Sequence, residues 1–132
     1  MKNKLKLALP KGRLLDGIIE LLEECGLEIK MNGRSYRPWC ADPEVEIKIL
    51  KPQNIPALIE LGSQDLAFTG YDWVTEQNAC VEELFDLKFD PVKIVAAIPK
   101  EKSMNKLKTG VIRVVSEYEN IAKKYLKEKG YK

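Results

Sequence analysis

The segment Pro10-Lys11-Gly12-Arg13 carries the residue types in this chain that are best suited to chemistry. It follows an alternating leucine stretch that predicts a β-strand and precedes an amphipathic stretch that predicts a helix. Lys11 supplies a point charge, Arg13 a planar fork suited to phosphate oxygens, and Gly12 an open backbone. Free N–H groups and the helix dipole favour an anion at such a position. The segment predicts a phosphate or pyrophosphate site, with a solvated Lys-Arg turn as the alternative.

A second loop, "FTGYDW" at residues 68–73, also lies where an apolar strand meets a predicted helix. Thr69, Gly70 and Asp72 provide a hydroxyl, an open backbone and a carboxylate. Because ligands of open α/β sheets bind beyond the carboxyl ends of the strands, both loops are expected at one edge. The alternative is an ordinary turn, with Gly70 at positive φ and Asp72 capping the helix.

Further cations lie on connections or strand ends, namely Arg34, Arg37 and Lys51. Each of them alone is better explained as a surface residue than as part of a site. The chain contains neither GxxxxGK[ST] nor GxGxxG, so the predicted anion site is neither a Walker loop nor a dinucleotide fingerprint.

The chain has no histidine, which excludes a Ser-His-Asp triad, a Cys-His pair and most zinc sites. Cys25, Cys40 and Cys80 are far apart and form no CxxC pair. They indicate reduced thiols and a cytoplasmic location. Cys25 continues the apolar face of the predicted helix after Leu14, so it is expected in the core.

Charge is unevenly distributed, although the net charge is only +2. Residues 1–13 and 100–132 are basic, and residues 14–99 are acidic. This distribution admits a nucleic-acid partner, but no basic run is interleaved with aromatic residues and no reader motif is present. The N-terminus lacks the apolar region of a secretory signal, and no apolar run approaches the ~20 residues of a membrane span. We therefore expect neither a nucleic-acid nor a membrane partner.

Hydrophobic periodicity predicts strands alternating with helices along the chain. The order indicates an α/β fold with a mostly parallel sheet, flanking helices and right-handed crossovers. The predicted elements are a strand at 5–9, a helix at 14–25 ending at Gly26, a ragged hairpin around "NGRSYRP", a strand at 45–50, a short helix from a cap at Asn54 to Gly62, a buried strand at 65–70, a short helix from 71, strands at 92–99 and 111–116, and a helix at 118–130.

Taken together, several segments resemble the ATP phosphoribosyltransferase family, which opens histidine biosynthesis. The resemblance covers nearly every residue and is most specific in the combination of "LALPKGRL" with "DLAFTGYDWVTE". The segments are "LALPKGRL" (7–14), "GRSYRP" (33–38), "ILKPQNIPALIELGSQDLAFTGYDWVTE" (49–76), "ELFDLKFDPVKIVAAIP" (83–99) and "IRVVSEYENIAKKYLKEKG" (112–130).

The resemblance implies a catalytic domain of two α/β lobes, similar to type II periplasmic binding proteins, with the active site in the cleft. Residues 1–100 correspond to the first lobe. Residues 101–132 correspond to a link and the first strand-helix unit of the second lobe. The family's Thr/Gly-rich loop of the kind "D.V.TG.TL", which cradles the ribose phosphate, has no counterpart in this sequence.

The reaction implied by the resemblance joins N1 of the adenine of ATP to C1′ of phosphoribosyl pyrophosphate and expels pyrophosphate, with substrate-bound Mg²⁺ present. Lys11, Gly12 and Arg13 match positions expected to face phosphates, and Arg34 matches an arginine near the cleft. Lys51 stands where the family often has arginine. Thr69, Gly70 and Asp72 match the nucleotide-side loop. No residue is assigned as a general base.

Two hypotheses follow for the chain as it stands. It is a phosphoribosyltransferase chain that is inactive alone, because the ribose-phosphate loop is absent, or a non-catalytic anion-binding or structural module derived from that lobe. The resemblance also implies a homo-oligomer and admits a regulatory subunit. Self-association is further expected because a lobe cut from a two-lobe protein exposes apolar surface.

Overall fold

The fold is described from a computed structural model, which describes residues 3–89, 91–102, 105 and 109–132. The chain divides into two units, residues 1–91 and 92–132. Along the chain the elements are β1 (Leu5–Pro10), α1 (Leu15–Glu24), β2 (Ile29–Lys30), β3 (Trp39–Cys40), β4 (Val45–Leu50), a 3-10 turn (Pro52–Asn54), α2 (Ile55–Glu60), β5 (Leu66–Ala67), α3 (Tyr71–Gln77) and α4 (Glu119–Lys129).

A parallel sheet of order β4-β1-β5 forms the centre of the 1–91 unit. Strand β1 pairs with β4 over its whole length, from Leu5 opposite Val45 to Pro10 opposite Leu50. Its pairing with β5 is short, because only Leu7 and Ala8 have partners there. Parallel neighbours require crossover connections, and helices α1 and α2 lie in those connections. The predicted α/β fold with a parallel sheet and flanking helices is confirmed.

The core lies on both faces of β1. Leu7 and Leu9 are almost fully buried on one face, in a cluster with Ile18 of α1. Ala8 points to the opposite face, since side chains alternate along a strand, and it is fully buried as well. Ile55, the first residue of α2, is also fully buried. The central strand is therefore covered on both sides, as expected for a parallel sheet.

Strand β5 is held in register by the residue before it. The backbone N–H of Lys6 donates to Oδ2 of Asp65 at 2.8 Å, and the N–H of Asp65 donates to the carbonyl of Lys6 at 2.9 Å. Beyond the strand, the N–H of Phe68 donates to the carbonyl of Ala8 at 3.1 Å. These contacts lengthen a pairing that the strand itself makes over only two residues.

The segment between α1 and β4 forms the predicted ragged hairpin. Strands β2 and β3 pair antiparallel, with Ile29 opposite Cys40 and Lys30 opposite Trp39. The loop between them reaches the sheet, because the N–H of Ile49 in β4 donates to the carbonyl of Tyr36 at 2.7 Å. The hairpin loop is thereby attached close to the carboxyl end of β4.

The four predicted helices are confirmed with small shifts of their bounds. The expected cap at Asn54 is wrong: its side chain makes no capping hydrogen bond. A 3-10 turn precedes α2, so Asn54 has helical dihedral angles (φ −90°, ψ −16°) instead of the extended backbone of a capping residue. Cys25 is exposed, not part of the core, because it is the C-cap residue of α1, where the helical period ends.

The strand predicted at 65–70 is shorter than expected and only partly buried. Pairing is limited to Leu66 and Ala67, and Leu66 is exposed. The sequence run is apolar throughout, as in a strand covered on both faces. In the structure, β5 is instead an edge strand of the sheet.

The strands predicted at 92–99 and 111–116 are wrong. Both stretches are described without strand structure, and their side chains are largely exposed. A strand requires a neighbouring strand that accepts and donates its backbone hydrogen bonds, and among the described residues no strand pairs with either stretch. Most of the predicted link at 100–110 lies outside the described residues. The division predicted at residue 100 stays a prediction.

Within the part of the chain that the structure describes, no helix is both long and apolar enough to cross a bilayer.

Candidate anion site at the carboxyl edge of the sheet

Three loops leave the sheet at the same edge. Pro10 and Leu50 are register partners at the ends of β1 and β4, and the N–H of Lys11 donates to the carbonyl of Leu50 at 2.7 Å. Strand β5 runs parallel to β1 beside them. The β1–α1 turn, the residue after β4 and the loop after β5 therefore begin from one edge, where parallel α/β sheets bind ligands.

The β1–α1 turn is open to an approaching group. Lys11, Gly12 and Arg13 are all exposed. Gly12 has φ +110°, a conformation that other residues rarely adopt, and no atom lies within 4 Å of the position a Cβ would take. Helix α1 begins at Leu15 without a side-chain cap. The arrangement places an open backbone, an exposed ammonium and an exposed guanidinium on one turn.

Lys11 is held against the hairpin loop. Its Nζ donates to the hydroxyl of Tyr36 at 3.4 Å and lies 5.1 Å from the centre of the Tyr36 ring, which is a cation–π geometry. The carbonyl of Tyr36 accepts the N–H of Ile49. The hairpin loop thus contacts the site through Tyr36, a residue that the sequence had not singled out.

Lys51 and Arg34 complete the set of candidate cations, and they are placed differently. Lys51 is exposed and extended (φ −60°, ψ 133°) directly after β4, so it belongs to the carboxyl edge. Arg34 is exposed in the hairpin loop, and in the described part of the chain no hydrogen bond or ion pair joins it to the other candidates. Its neighbour Arg37 is paired with Glu46, with Nη1 and Oε1 3.6 Å apart.

The loop after β5 differs from the expected turn. Gly70 has φ −78° and ψ 138°, which is extended backbone, so the expectation of a positive φ is wrong. Space is limited there instead, because a Cβ at Gly70 would overlap Oδ1 of the Asp72 carboxylate, which would have to turn away. Gly70, not Asp72, occupies the N-cap position of α3, and Asp72 lies in its first turn.

Thr69 presents a polar atom at the same edge. Its Oγ1 is buried, and among the described residues no hydrogen-bond partner reaches it. A buried hydroxyl without a partner costs free energy, which a ligand oxygen or a water molecule would recover. The Asp72 carboxylate lies close by across Gly70 and repels anions. The electrostatics therefore favour phosphate at the Lys11 side and a neutral, hydrogen-bonding group at the Thr69 side.

The described residues contain no group of three His, Cys, Asp or Glu side chains that could hold a metal ion. The donor chemistry at the carboxyl edge is cationic, and it suits an anion. Tyr36 is the residue that sequence reasoning missed. The available signal was an exposed aromatic residue between Arg34 and Arg37 in a predicted hairpin loop.

The family model of ATP phosphoribosyltransferase (HisG) matches residues 51–132. The ATP phosphoribosyltransferase of Thermodesulfovibrio yellowstonii is 39% identical over the whole chain, which covers 48% of that relative. The enzyme of the same name from Chlorobium phaeobacteroides is 35% identical over 98% of this chain, and the match covers 46% of that enzyme. The chain spans about half the length of the curated relatives it matches.

Among solved structures, the ATP phosphoribosyl transferase (HisG:HisZ) complex from Thermotoga maritima shares the fold, with a TM-score of 0.69. That match covers 96% of this chain and 60% of the solved chain, at 23% identity. The family model and the curated relatives, together with the basic carboxyl edge described above, show that the chain belongs to the ATP phosphoribosyltransferase family.

Proposed function

We propose that this chain is the part of an ATP phosphoribosyltransferase that binds substrate phosphates at Lys11, Gly12 and Arg13. The observation that supports this proposal is the convergence of three loops at one sheet edge, with an open glycine backbone between two exposed cations. The reaction of the complete enzyme bonds N1 of adenine to C1′ of phosphoribosyl pyrophosphate, and pyrophosphate leaves with the bonding electrons. It is the first step of histidine biosynthesis.

The chemistry requires that the charge of the leaving pyrophosphate be neutralised while a positive centre develops at C1′. Lys11, Arg13 and Lys51 would supply that neutralisation from one side, and positioned charges of this kind are usually a large part of catalysis. Thr69 would hydrogen-bond a neutral part of the nucleotide. Because the described residues contain no acidic cluster, Mg²⁺ would enter bound to the substrate phosphates.

The proposal includes a larger assembly. Since the chain spans about half of its relatives, a second lobe would supply the ribose-phosphate contacts, and the pair would form a cleft as in type II periplasmic binding proteins. Homo-oligomers and a regulatory subunit are included because the structural neighbour is a HisG:HisZ complex. The free cysteines fit the proposed cytoplasmic location.

Calorimetric titration of the 132-residue chain with pyrophosphate and with ATP tests the anion site. We expect both to bind, and Arg13→Ala to weaken binding by roughly 1–3 kcal/mol, the value of a charge-assisted hydrogen bond. Arg13→Lys separates charge from the bidentate fork. Arg113→Ala removes an exposed arginine from the 92–132 unit and serves as the matched control. Unchanged affinity in folded Arg13→Ala would remove Arg13 from the site.

A turnover assay with ATP, phosphoribosyl pyrophosphate and Mg²⁺ separates an enzyme from a binding module. The chain alone is expected to show anion binding without turnover. Turnover near ordinary enzyme rates, ~1 s⁻¹ or more, would mean that 132 residues assemble a complete site. Failure to bind either phosphate compound would leave a structural module and contradict the proposal.

A further inference from the structure

Tyr36 occupies a fixed place beside the candidate anion site. Its carbonyl accepts the N–H of Ile49 at 2.7 Å, and Ile49 lies one residue before the end of β4. The carbonyl of that last residue, Leu50, accepts the N–H of Lys11 at 2.7 Å. Two backbone hydrogen bonds therefore connect the Tyr36 loop and the Lys11 turn through the end of one strand.

The side chains of these two residues meet above that connection. The Lys11 ammonium lies 5.1 Å from the ring centre of Tyr36, and Nζ donates to the hydroxyl at 3.4 Å. Tyr36 is 56% exposed, so it is placed by its backbone and not by burial in the core. A lysine ammonium has three donors, and this contact uses one of them.

We infer that Tyr36 is a positioning residue, whose ring holds the Lys11 ammonium at the carboxyl edge with two donors left for an anion. This inference rests on the proposed function. An unrestrained lysine side chain samples many rotamers and loses that freedom on binding. A lysine already held at the edge loses less, so the anion binds more tightly with no contact to Tyr36 itself.

The ring, more than the hydroxyl, is assigned this role. The 3.4 Å separation is long for a hydrogen bond, whereas the ammonium lies well within the range of a cation–π contact. The two contributions are separable, because Tyr36→Phe keeps the ring and removes the hydroxyl. Tyr36→Leu removes both and keeps an apolar side chain.

The chain offers a matched control in a second cation–π pair. Nζ of Lys30 lies 5.2 Å from the ring centre of Trp39, in the same hairpin. Trp39 lines a shallow cleft with Lys4 and Val45, near the amino ends of β1 and β4. Trp39→Leu therefore removes an equivalent interaction at the opposite edge of the sheet.

Nuclear magnetic resonance of the wild-type chain tests the contact itself. We expect nuclear Overhauser contacts between the Tyr36 ring protons and the ε-methylene of Lys11, and an upfield ring-current shift of that methylene. Both signals should persist in Tyr36→Phe and disappear in Tyr36→Leu. Their absence from the wild type would overturn the inference even if pyrophosphate binds, and the proposed function would then stand alone.

Titration with pyrophosphate tests the consequence. Tyr36→Leu is expected to weaken binding about fivefold, and Tyr36→Phe and Trp39→Leu to remain within about twofold of the wild type. Tyr36→Ser repeats the test without a new apolar side chain, and circular dichroism verifies folding. Wild-type affinity in Tyr36→Leu, or an equal loss in Tyr36→Phe, would overturn the ring's role. If the wild type binds no pyrophosphate, the proposed function fails and the inference with it.

Discussion

The two units of the chain contain similar apolar runs, yet among the described residues only those of the 1–91 unit form a buried core. In that unit Leu9 and Ile55 are fully buried, and β1 is paired on both sides. In the 92–132 unit, Val111 and Val115 are 88% and 99% exposed, and α4 contains no buried residue. Apolar content is therefore insufficient for a core, which also requires strands with paired neighbours and helices that cover them.

The largest expected effect contrasts a buried and an exposed aliphatic side chain. Ile47 in β4 is 2% exposed and lies in the hydrophobic cluster. Ile47→Ala should lower the free energy of unfolding by about 2–5 kcal/mol, because it removes buried methyl groups and leaves a cavity. Val115→Ala, its counterpart in the 92–132 unit, should change that free energy by less than ~0.5 kcal/mol.

Urea denaturation followed by circular dichroism measures both substitutions. A large effect of Val115→Ala would break the comparison, since it would show that Val115 is covered in solution. Repeating the measurement at several protein concentrations then shows whether a second copy of the chain buries Val115. A stability that rises with concentration indicates a second copy of the chain, as expected from the proposed self-association.

A smaller effect is expected from adding one methyl group to a glycine in each unit. Gly70→Ala should destabilise the chain by about 0.5–1.5 kcal/mol, because the new Cβ overlaps Oδ1 of Asp72 and forces that carboxylate out of its present rotamer. In Gly110→Ala no atom lies within 4 Å of the new Cβ, so the stability of the chain should hardly change. Thermal unfolding of the two variants is the measurement, and equal melting temperatures would contradict the described loop.

The smallest effect concerns the ion pair that joins the first two turns of α4. Nζ of Lys123 lies 2.6 Å from Oε1 of Glu119. The hydrogen bond from Lys123, with its charge, lowers the pKa of Glu119. Because the pKa of Glu119 is lower in the folded chain than in the unfolded chain, the ion pair stabilises the helix fully at a pH above the unfolded-state pKa. That stabilisation is lost as the pH falls through the folded-state pKa.

In Lys123→Ala the Glu119 carboxyl should titrate at higher pH than in the wild type. The ¹³C shift of its side-chain carboxyl reports the midpoint directly. Lys124→Ala removes the same charge from a position that does not face Glu119, so it should leave the midpoint near the wild-type value. An equal displacement in both variants would mean that general charge, and not the pair, sets the pKa.

Local periodicity predicted the helices, whose backbone hydrogen bonds are local, and the strands that find a partner. The i, i+3, i+4 pattern of α1 determines its apolar face, and the alternating stretches β1 and β4 form strands because they pair with each other. The stretches 92–99 and 111–116 have equally good strand composition, but a ladder depends on a second strand, and no local pattern encodes its presence.

The site was predictable in part for the same reason. Lys11, Lys51 and Thr69 follow predicted parallel strands, so the topology alone brings them to one edge. The contact between Lys11 and Tyr36 joins residues 25 positions apart, and it depends on how the hairpin loop meets β4. The steric reason for Gly70 depends on where the Asp72 side chain turns.

The two hydrogen bonds between Asp65 and Lys6, here called the Asp65 clamp, limit where this chain tolerates changes of length. Residues inserted into the turn at Leu61–Ser63, which is exposed, lie upstream of the clamp and leave β5 in phase with β1. An insertion between Asp65 and Thr69 would shift the downstream residues by one or more positions, and a shift of one reverses every side chain from one face to the other. Thr69 would then lose its present register with the β1–α1 turn, so we expect changes of length to be tolerated in the upstream turn and not after Asp65.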